Sequence, residues 1–249
     1  MLSSALAAAT REDFENSALS PFSTEGAGPH TAVITAPPFG ARAGSLAHQL
    51  TWLQAQYTGS CSTRSVEGTS GNGNGNLCIT NEGWYGFSFY LPANGFPADK
   101  STIIAQIHAW DSSLPATDKT AVIGYQADGS LLVESFYGVG DGGALATGSI
   151  TLWPSGAGPA QRNRWHDLIL HISLANNQTG GITAWLEGAP EATPTGTLKG
   201  ISVGNGAWTS ANEMTIGAYI KWGLYCWDTA NHTPNETRTI FFDELAYQG

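Results

Sequence analysis

Three polar side chains stand at alternate positions within residues 101–110, namely Gln106, His108 and Trp110. Alternate side chains of a strand lie on one face, so the segment predicts a row of an amide, an imidazole and an indole, with Ile104 beside them. The opposite face is apolar and suits a core: Ile103, Ala105, Ile107 and Ala109. Because imidazole exchanges protons near neutral pH, the row indicates acid–base chemistry in a cleft. The alternative is an ordinary solvent-facing surface.

A second row is predicted in residues 216–227, where one face carries Tyr219, Lys221, Gly223, Tyr225 and Trp227. A glycine within a strand often marks the close approach of a ligand or another backbone. Tyrosine and lysine around it are typical of a sugar-binding surface with a titratable hydroxyl; the alternative is an aromatic strand packed under a loop. The other face is apolar and would bury its thiol: Ile220, Trp222, Leu224 and Cys226.

Two further residues are candidates for the same cleft. Arg64 is one of only 10 Lys and Arg residues, and its planar guanidinium suits an anion contact. His48 lies on an early strand that we expect to border the cleft. It is a reserve candidate for catalysis or substrate contact, although a structural histidine is the commoner reading.

The elements that must position these residues are strands. Glycine, proline, asparagine and aspartate clusters separate short strand-like runs, with turns predicted at Asp128-Gly129, at residues 176–181 and at residues 187–190. Residues 43–56 fit a strand and a helix equally. We expect an all-β fold, a single-domain β-sandwich of jelly-roll type over residues 13–249, preceded by a disordered or processed segment over residues 1–12.

The composition argues against two classes of binding partner. The chain has 31 Gly, only 12% charged residues, and 20 Asp and Glu against 10 Lys and Arg, which gives a formal net charge of −10. This balance argues against binding to nucleic acid and to an anionic membrane. We expect a monomer that binds neither.

The two rows and Arg64 resemble the motifs of jelly-roll polysaccharide lyases. Gln106-Ile107-His108 matches the Gln-Ile-His motif of family 7 alginate lyases. Residues 219–227 resemble the Tyr-Phe-Lys-x-Gly-x-Tyr-x-Gln motif, with Ile220 and Trp227 as departures. Residues 64–67 resemble the Arg-Ser/Thr-Glu-Leu-Arg motif, with an extra residue before Glu67 and no second arginine.

Other segments resemble the family 20 glucuronan lyases and the heparin-lyase-I-like group, with family 20 the closest: residues 13–15, 64–65, 164–168, 184–188, 225–228 and 240–244. The resemblance implies a secreted, extracellular enzyme that acts on an acidic polysaccharide, with β-1,4-glucuronan as the leading substrate. Alginate is the alternative substrate, and a non-catalytic lectin-like module is the alternative function. Glycoside hydrolysis ranks second among enzymes, because no carboxylate pair shares a strand motif.

The resemblance also implies roles. A polyuronate lyase removes the proton at C5 of a 4-linked uronate, expels the oxygen at C4, and stabilises the charge that develops at the carboxylate. Arg64 and Gln106 suit that carboxylate. His108 suits the base and Tyr225 the acid; alternatively Tyr225 serves as both, and His108 helps to hold the carboxylate. The candidate substrate contacts are Lys221, Tyr219, Trp110 and His48.

The family 20 resemblance implies no cofactor for catalysis but a structural Ca²⁺, for which Glu15 and Asp243 are the candidate ligands if the first and last strands pair; turn or cap roles are the alternative. Cys61 and Cys78 flank a Gly- and Asn-rich stretch. We expect a disulfide between them, against two free thiols of an intracellular protein. The sequons at Asn177, Asn231 and Asn235 favour a secreted glycoprotein.

Overall fold

The computed structural model describes residues 9–25, 28–60, 63–70, 77, 79, 81–110, 119–137, 146–203, 217–227 and 232–249. Within these ranges the chain forms fifteen β-strands, two short 3₁₀-helices (Gln54–Gln56 and Gly158–Gln161) and no α-helix. The same ranges contain no helix with the length and apolar character needed to cross a membrane. The all-β prediction is confirmed.

The strands form two antiparallel sheets. The first comprises β1 (Thr10–Glu12), β3 (Thr31–Thr35), β4 (Ala47–Leu53), β6 (Glu82–Tyr90), β11 (Trp165–Ser173), β12 (Ala175–Leu186), β13 (Gly196–Val203) and β15 (Thr237–Gln248). The second comprises β2 (Ser23–Glu25), β5 (Ser65–Thr69), β7 (Thr102–Trp110), β8 (Lys119–Tyr125), β9 (Leu131–Tyr137), β10 (Ala146–Trp153) and β14 (Gly217–Tyr225). Their strand orders are β13-β12-β11-β6-β15-β4-β3, with β1 on β15, and β10-β9-β8-β7-β14-β5-β2.

The inner faces of the two sheets enclose one hydrophobic core. Trp52 and Phe89 enter it from the first sheet, and Ile107 and Trp222 enter it from the second. The alternation predicted for β14 is confirmed, because its apolar positions are all in this core: Ile220, Trp222, Leu224 and Cys226. The opposite positions of β7 and β14 therefore point to the outer face of the second sheet.

One residue of the predicted row lies on the other face. Ile104 is fully buried in the core, whereas Ile103 is not part of that core cluster. The pairing of β7 with β8 shifts register between Ile103 and Ala105, and such an irregularity reverses the alternation of side chains. The prediction that Ile104 shares a face with Gln106 is therefore wrong.

Two segments also differ from expectation. Within residues 43–56, β4 covers Ala47–Leu53 and a 3₁₀-helix covers Gln54–Gln56. β12 continues through the turn predicted at residues 176–181, with register shifts between Ala175 and Gly181. In β12, pairing with distant strands outweighs the local glycine and asparagine signals. β1 lies at the end of residues 1–12 and pairs with β15; residues 1–8 lie outside the described residues, so the disordered or processed segment stays a prediction.

Gly223 lies opposite Glu67 in the pairing of β14 with β5. Its φ is 140°, and an added Cβ would lie 2.3 Å from the Val66 carbonyl oxygen and 2.8 Å from Glu67 Cα. The close approach predicted from this mid-strand glycine is confirmed, and the approaching group is backbone.

Gly223→Ala is expected to lower the free energy of unfolding by about 2 kcal/mol or more, because backbone must shift to admit the methyl group. Chemical denaturation measures the change. Gly86→Ala is the matched control, since its added Cβ would meet nothing closer than 3.7 Å. Equal unfolding free energies for the two variants would contradict the close approach at Gly223.

Candidate active site

Strand register brings the predicted polar residues together on the outer face of the second sheet. β14 lies between β7 and β5, and directly opposed residues of paired strands share a face. The opposed pairs are Lys221 with Gln106, Tyr219 with His108, Gly223 with Glu67 and Tyr225 with Ser65. The two rows predicted from the sequence therefore form one surface.

A buried glutamine–glutamate pair forms the centre of this surface. Gln106 is 1% exposed and Glu67 is 4% exposed. The Gln106 Nε2 donates a hydrogen bond to Glu67 Oε1, and the bond crosses β14, where Gly223 carries no side chain. Burial raises the pKa of the Glu67 carboxyl to about 7, although Lys221 and Gln106 act in the opposite direction. The carboxyl thus exchanges a proton near neutral pH.

Lys221 lies beside that pair between two carboxylates. Its Nζ donates to Glu25 Oε1 at 2.6 Å, and Glu25 is opposite Glu67 in the pairing of β2 with β5. Burial alone would lower the pKa of the Lys221 ammonium, but the charges of Glu67, Tyr219 and Glu25 raise it above its usual value. Lys221 therefore remains a cation on the surface.

Two tyrosines take different positions around the pair. The Tyr219 ring is 9% exposed, and its centroid lies 5.4 Å from the His108 ring. Tyr225 ends β14, opposite Ile103, and is partly exposed, as is His108. His108 and Tyr225 therefore offer accessible polar groups on opposite sides of the Gln106–Glu67 pair.

Arg64 lies at the Tyr225 end of the surface, directly before β5. Its carbonyl oxygen accepts a hydrogen bond from the Cys226 N–H at 2.9 Å. Its Nε donates to the Tyr57 hydroxyl at 3.3 Å. The Arg64 side chain is partly exposed.

His48 is not on this surface. It is 1% exposed, and its Nδ1 accepts a hydrogen bond from the Trp222 indole at 3.2 Å. The centroids of the His48 and Phe14 rings are 5.5 Å apart. Burial lowers the pKa of His48 to about 4. The reserve assignment of His48 as a catalytic or substrate-binding residue is corrected: it is a neutral structural histidine between the sheets.

For three other predicted residues the structure describes only the backbone or nothing. Trp110 ends β7 opposite Gly217, but its side chain lies outside the description. Cys61 and Cys78 lie outside the described residues, so their disulfide stays a prediction. Cys226 is a buried free thiol whose pKa is raised by burial.

Glu15 and Asp243 hold one loop, residues 42–46. Asp243 Oδ2 accepts the Arg42 and Ala43 N–H groups at 2.8 and 3.1 Å, and Glu15 Oε1 accepts the Ser45 and Leu46 N–H groups at 2.8 and 2.6 Å. Calcium needs oxygen ligands, whereas these carboxylates face N–H donors. The described residues include no cluster of three or more metal-ligating side chains. This arrangement fits the turn roles, and the structural Ca²⁺ that the family resemblance implies stays a prediction.

Sequence reasoning gave too little weight to two acidic residues. Glu67 was visible in the Arg64–Glu67 segment, and its place two positions after Ser65 was the available signal. Glu25 lies in a three-residue strand with no sequence signal that ties it to Lys221. The described surface thus contains two carboxyl groups that the motifs alone did not assign.

The chain is similar to known proteins in family and in fold. The family model for polysaccharide lyases matches residues 51–246. The structure of an endo-β-1,4-glucuronan lyase from the fungus Trichoderma reesei superposes with a TM-score of 0.71 at 18% identity, covering 96% of this chain and 94% of that chain. The likeness confirms the jelly-roll fold. No curated protein matches the chain in sequence.

Two alginate lyases share the fold at lower similarity. The marine PL-14 alginate lyase from Aplysia kurodai has a TM-score of 0.58 at 10% identity, covering 92% of this chain and 91% of that chain. Alginate lyase A1-II′, a member of polysaccharide lyase family 7, has a TM-score of 0.56 at 13% identity, covering 86% of this chain and 82% of that chain.

Proposed function

Because the chain belongs to the polysaccharide lyase family, we propose that it cleaves a 4-linked polyuronate by β-elimination, with β-1,4-glucuronan as the leading substrate. One observation carries the proposal. An amide, an imidazole and a tyrosine hydroxyl lie on one surface of two adjacent strands, as Gln106, His108 and Tyr225. These are the groups that the elimination requires.

The first task is to stabilise the uronate carboxylate. Removal of the C5 proton places negative charge beside this group, and preorganised donors lower the cost as the charge develops. The Gln106 amide supplies a donor from the buried centre of the surface, and Arg64 supplies a charged fork from the Tyr225 end. Lys221 adds positive charge beside Gln106, which favours binding of a polyanion.

The second task is proton transfer at C5 and O4. In glucuronan the C5 proton and the C4 oxygen lie on the same side of the sugar. A single tyrosine can therefore accept the C5 proton and donate a proton to O4. We assign that role to Tyr225, because it is the more exposed tyrosine of the surface. His108 then helps to hold the carboxylate; with the opposite stereochemistry of polyguluronate, His108 is the base.

Glucuronan is the leading substrate because the structure of the T. reesei glucuronan lyase superposes on 96% of this chain. To test the assignment, the purified protein is incubated separately with glucuronan, polymannuronate, polyguluronate and heparin, and the ultraviolet absorbance of the unsaturated product is followed. Glucuronan should give the fastest rise. A rise only with polymannuronate or polyguluronate would replace glucuronan by alginate. Binding without any rise would instead support the lectin-like module.

Arg64→Ala is expected to raise KM and lower kcat, each by about tenfold, because a charged hydrogen bond to the carboxylate is lost in both ground and transition states. Initial rates on the cleaved polymer measure both constants. Arg164→Ala is the matched control, since Arg164 pairs with Glu187 at the ends of β11 and β12, away from the second sheet. An unchanged kcat/KM in Arg64→Ala would remove Arg64 from the site.

The proposal places the enzyme outside the cell, where polyuronates accumulate. Asn235, part of one Asn-x-Thr sequon, is exposed, which supports glycosylation at that position. Glycopeptide mass spectrometry of the protein secreted from a eukaryotic host tests this point, and an unmodified Asn235 together with retention in the cell would contradict it.

A further inference from the structure

The Gln106–Glu67 pair leaves one polar atom without a partner. Gln106 Nε2 donates to Glu67, while Gln106 Oε1 is buried and has no hydrogen-bond partner among the described residues. A buried polar atom in this state needs a ligand or a different arrangement of its neighbours. In this orientation the amide has only one N–H left for a uronate carboxylate, and its unpaired carbonyl dipole opposes the binding of an anion.

The opposite amide orientation removes both difficulties. Amide oxygen and nitrogen exchange places by a rotation that changes the hydrogen-bond network but little else. If Glu67 carries a proton, its O–H donates to Gln106 Oε1, and both Nε2 hydrogens turn towards the substrate carboxylate. Glu67 also has a side-chain hydrogen bond with Ser65, which a protonated carboxyl can keep through its carbonyl oxygen.

We propose that Glu67 is a proton-linked positioning residue, which takes up one proton from solvent when a polyuronate binds and thereby turns the Gln106 amide towards the uronate carboxylate. The inference rests on the proposed function. Glu67 does not touch the reacting atoms; it acts through Gln106.

The surroundings of Glu67 favour this uptake. Lys221 on β14 and Glu25 on β2 are the charged groups beside it, and they form an ion pair with each other at 2.6 Å, in which the Glu25 charge offsets part of the Lys221 charge. Gln106 on β7 is neutral, and Tyr219 and His108 follow along the same face. Burial has already raised the pKa of Glu67 to about 7, and a bound uronate anion raises it further by like-charge repulsion.

Proton uptake at Glu67 makes the binding of a polyuronate depend on pH. Because the bound state holds the additional proton, binding is strongest below the pKa of Glu67 in the free protein. The Kd then rises by up to about tenfold for each pH unit above that value. At about pH 8, complex formation should take up nearly one proton at this residue.

The experiment uses Tyr225→Phe as a non-cleaving background and a glucuronan oligosaccharide as the probe. Titration calorimetry in two buffers of different ionisation enthalpy counts the protons taken up at about pH 8. Glu67→Gln keeps a side chain that hydrogen-bonds Gln106 but cannot titrate. The uptake assigned to Glu67 should vanish in it, and its Kd should lose the rise above neutral pH. His108 is present in both proteins, so it cancels from the difference.

A matched control is available on the same sheet. Gln126 Nε2 donates to Glu134 Oε2 at 2.8 Å, and burial raises the pKa of Glu134 as well. Glu134→Gln should retain full proton uptake. Equal uptake in Glu67→Gln and its parent overturns the proposal. If no protein binds any of the four polymers, the polyuronate assignment itself fails and the proposal fails with it.

A second measurement covers the case in which Glu67→Gln does not fold. The infrared difference spectrum of Tyr225→Phe, recorded on addition of the oligosaccharide at about pH 8, should show a new band of a protonated carboxyl group. Binding without such a band overturns the proposal.

Discussion

Tyr225→Phe is expected to lower kcat on the cleaved polymer by about a thousandfold, which is within the usual range for the loss of a general acid or base. Phenylalanine keeps the ring at the end of β14 but has no proton to give to O4 or to exchange at C5. The ultraviolet absorbance of the unsaturated product measures kcat. Titration calorimetry of the same variant should give a Kd close to that of the unsubstituted protein.

Tyr219→Phe is the informative comparison. Tyr219 lies 5.4 Å from His108, measured between ring centroids, and its ring is nearly buried. Loss of its hydroxyl should cost much less than loss of the Tyr225 hydroxyl, because its packing against His108 is kept. If Tyr219→Phe lost turnover and Tyr225→Phe kept it, the proton-transferring tyrosine would be Tyr219.

His108→Asn is the second change with a large expected effect. Asparagine keeps a hydrogen-bonding group on the outer face of β7 but cannot take up a proton. We expect kcat/KM to fall by at least about a hundredfold. Initial rates measure the loss, and His171→Asn is the control, because His171 lies on the first sheet in contact with Glu82.

The role of His108 follows from whether His108→Asn changes kcat alone or kcat and Kd together. If His108 is the base, kcat falls with little change in Kd. If it holds the carboxylate while Tyr225 transfers both protons, kcat and Kd change together. A His108→Asn variant with normal kcat/KM would exclude both roles and move the chemistry away from this surface.

Much of this surface was predictable from the chain alone. Alternation along residues 101–110 placed Gln106 and His108 on one face, and the same rule separated Lys221 from the buried Cys226. Alternation is a local property of an extended backbone, so no tertiary information was needed. Alternation alone did not predict that β7 and β14 pair directly.

The remainder depends on pairing that sequence does not encode locally. Ile104 enters the core because β7 shifts register against β8, and no residue type in the segment signals that shift. His48 lies under Trp222, which is 174 residues further along the chain. Glu25 reaches Lys221 only because β2 occupies the sheet edge beside β5.

The pairing of β1 with β15 has a practical consequence. Thr10 lies opposite Tyr247, so the polypeptide enters and leaves the sandwich at neighbouring points on the first sheet, and the candidate site occupies the outer face of the second. A reporter or a solid support attached at either of these points leaves the candidate site on the second sheet uncovered. A short linker between them would also permit circular permutation, with new ends cut into an exposed turn such as that at Gly188.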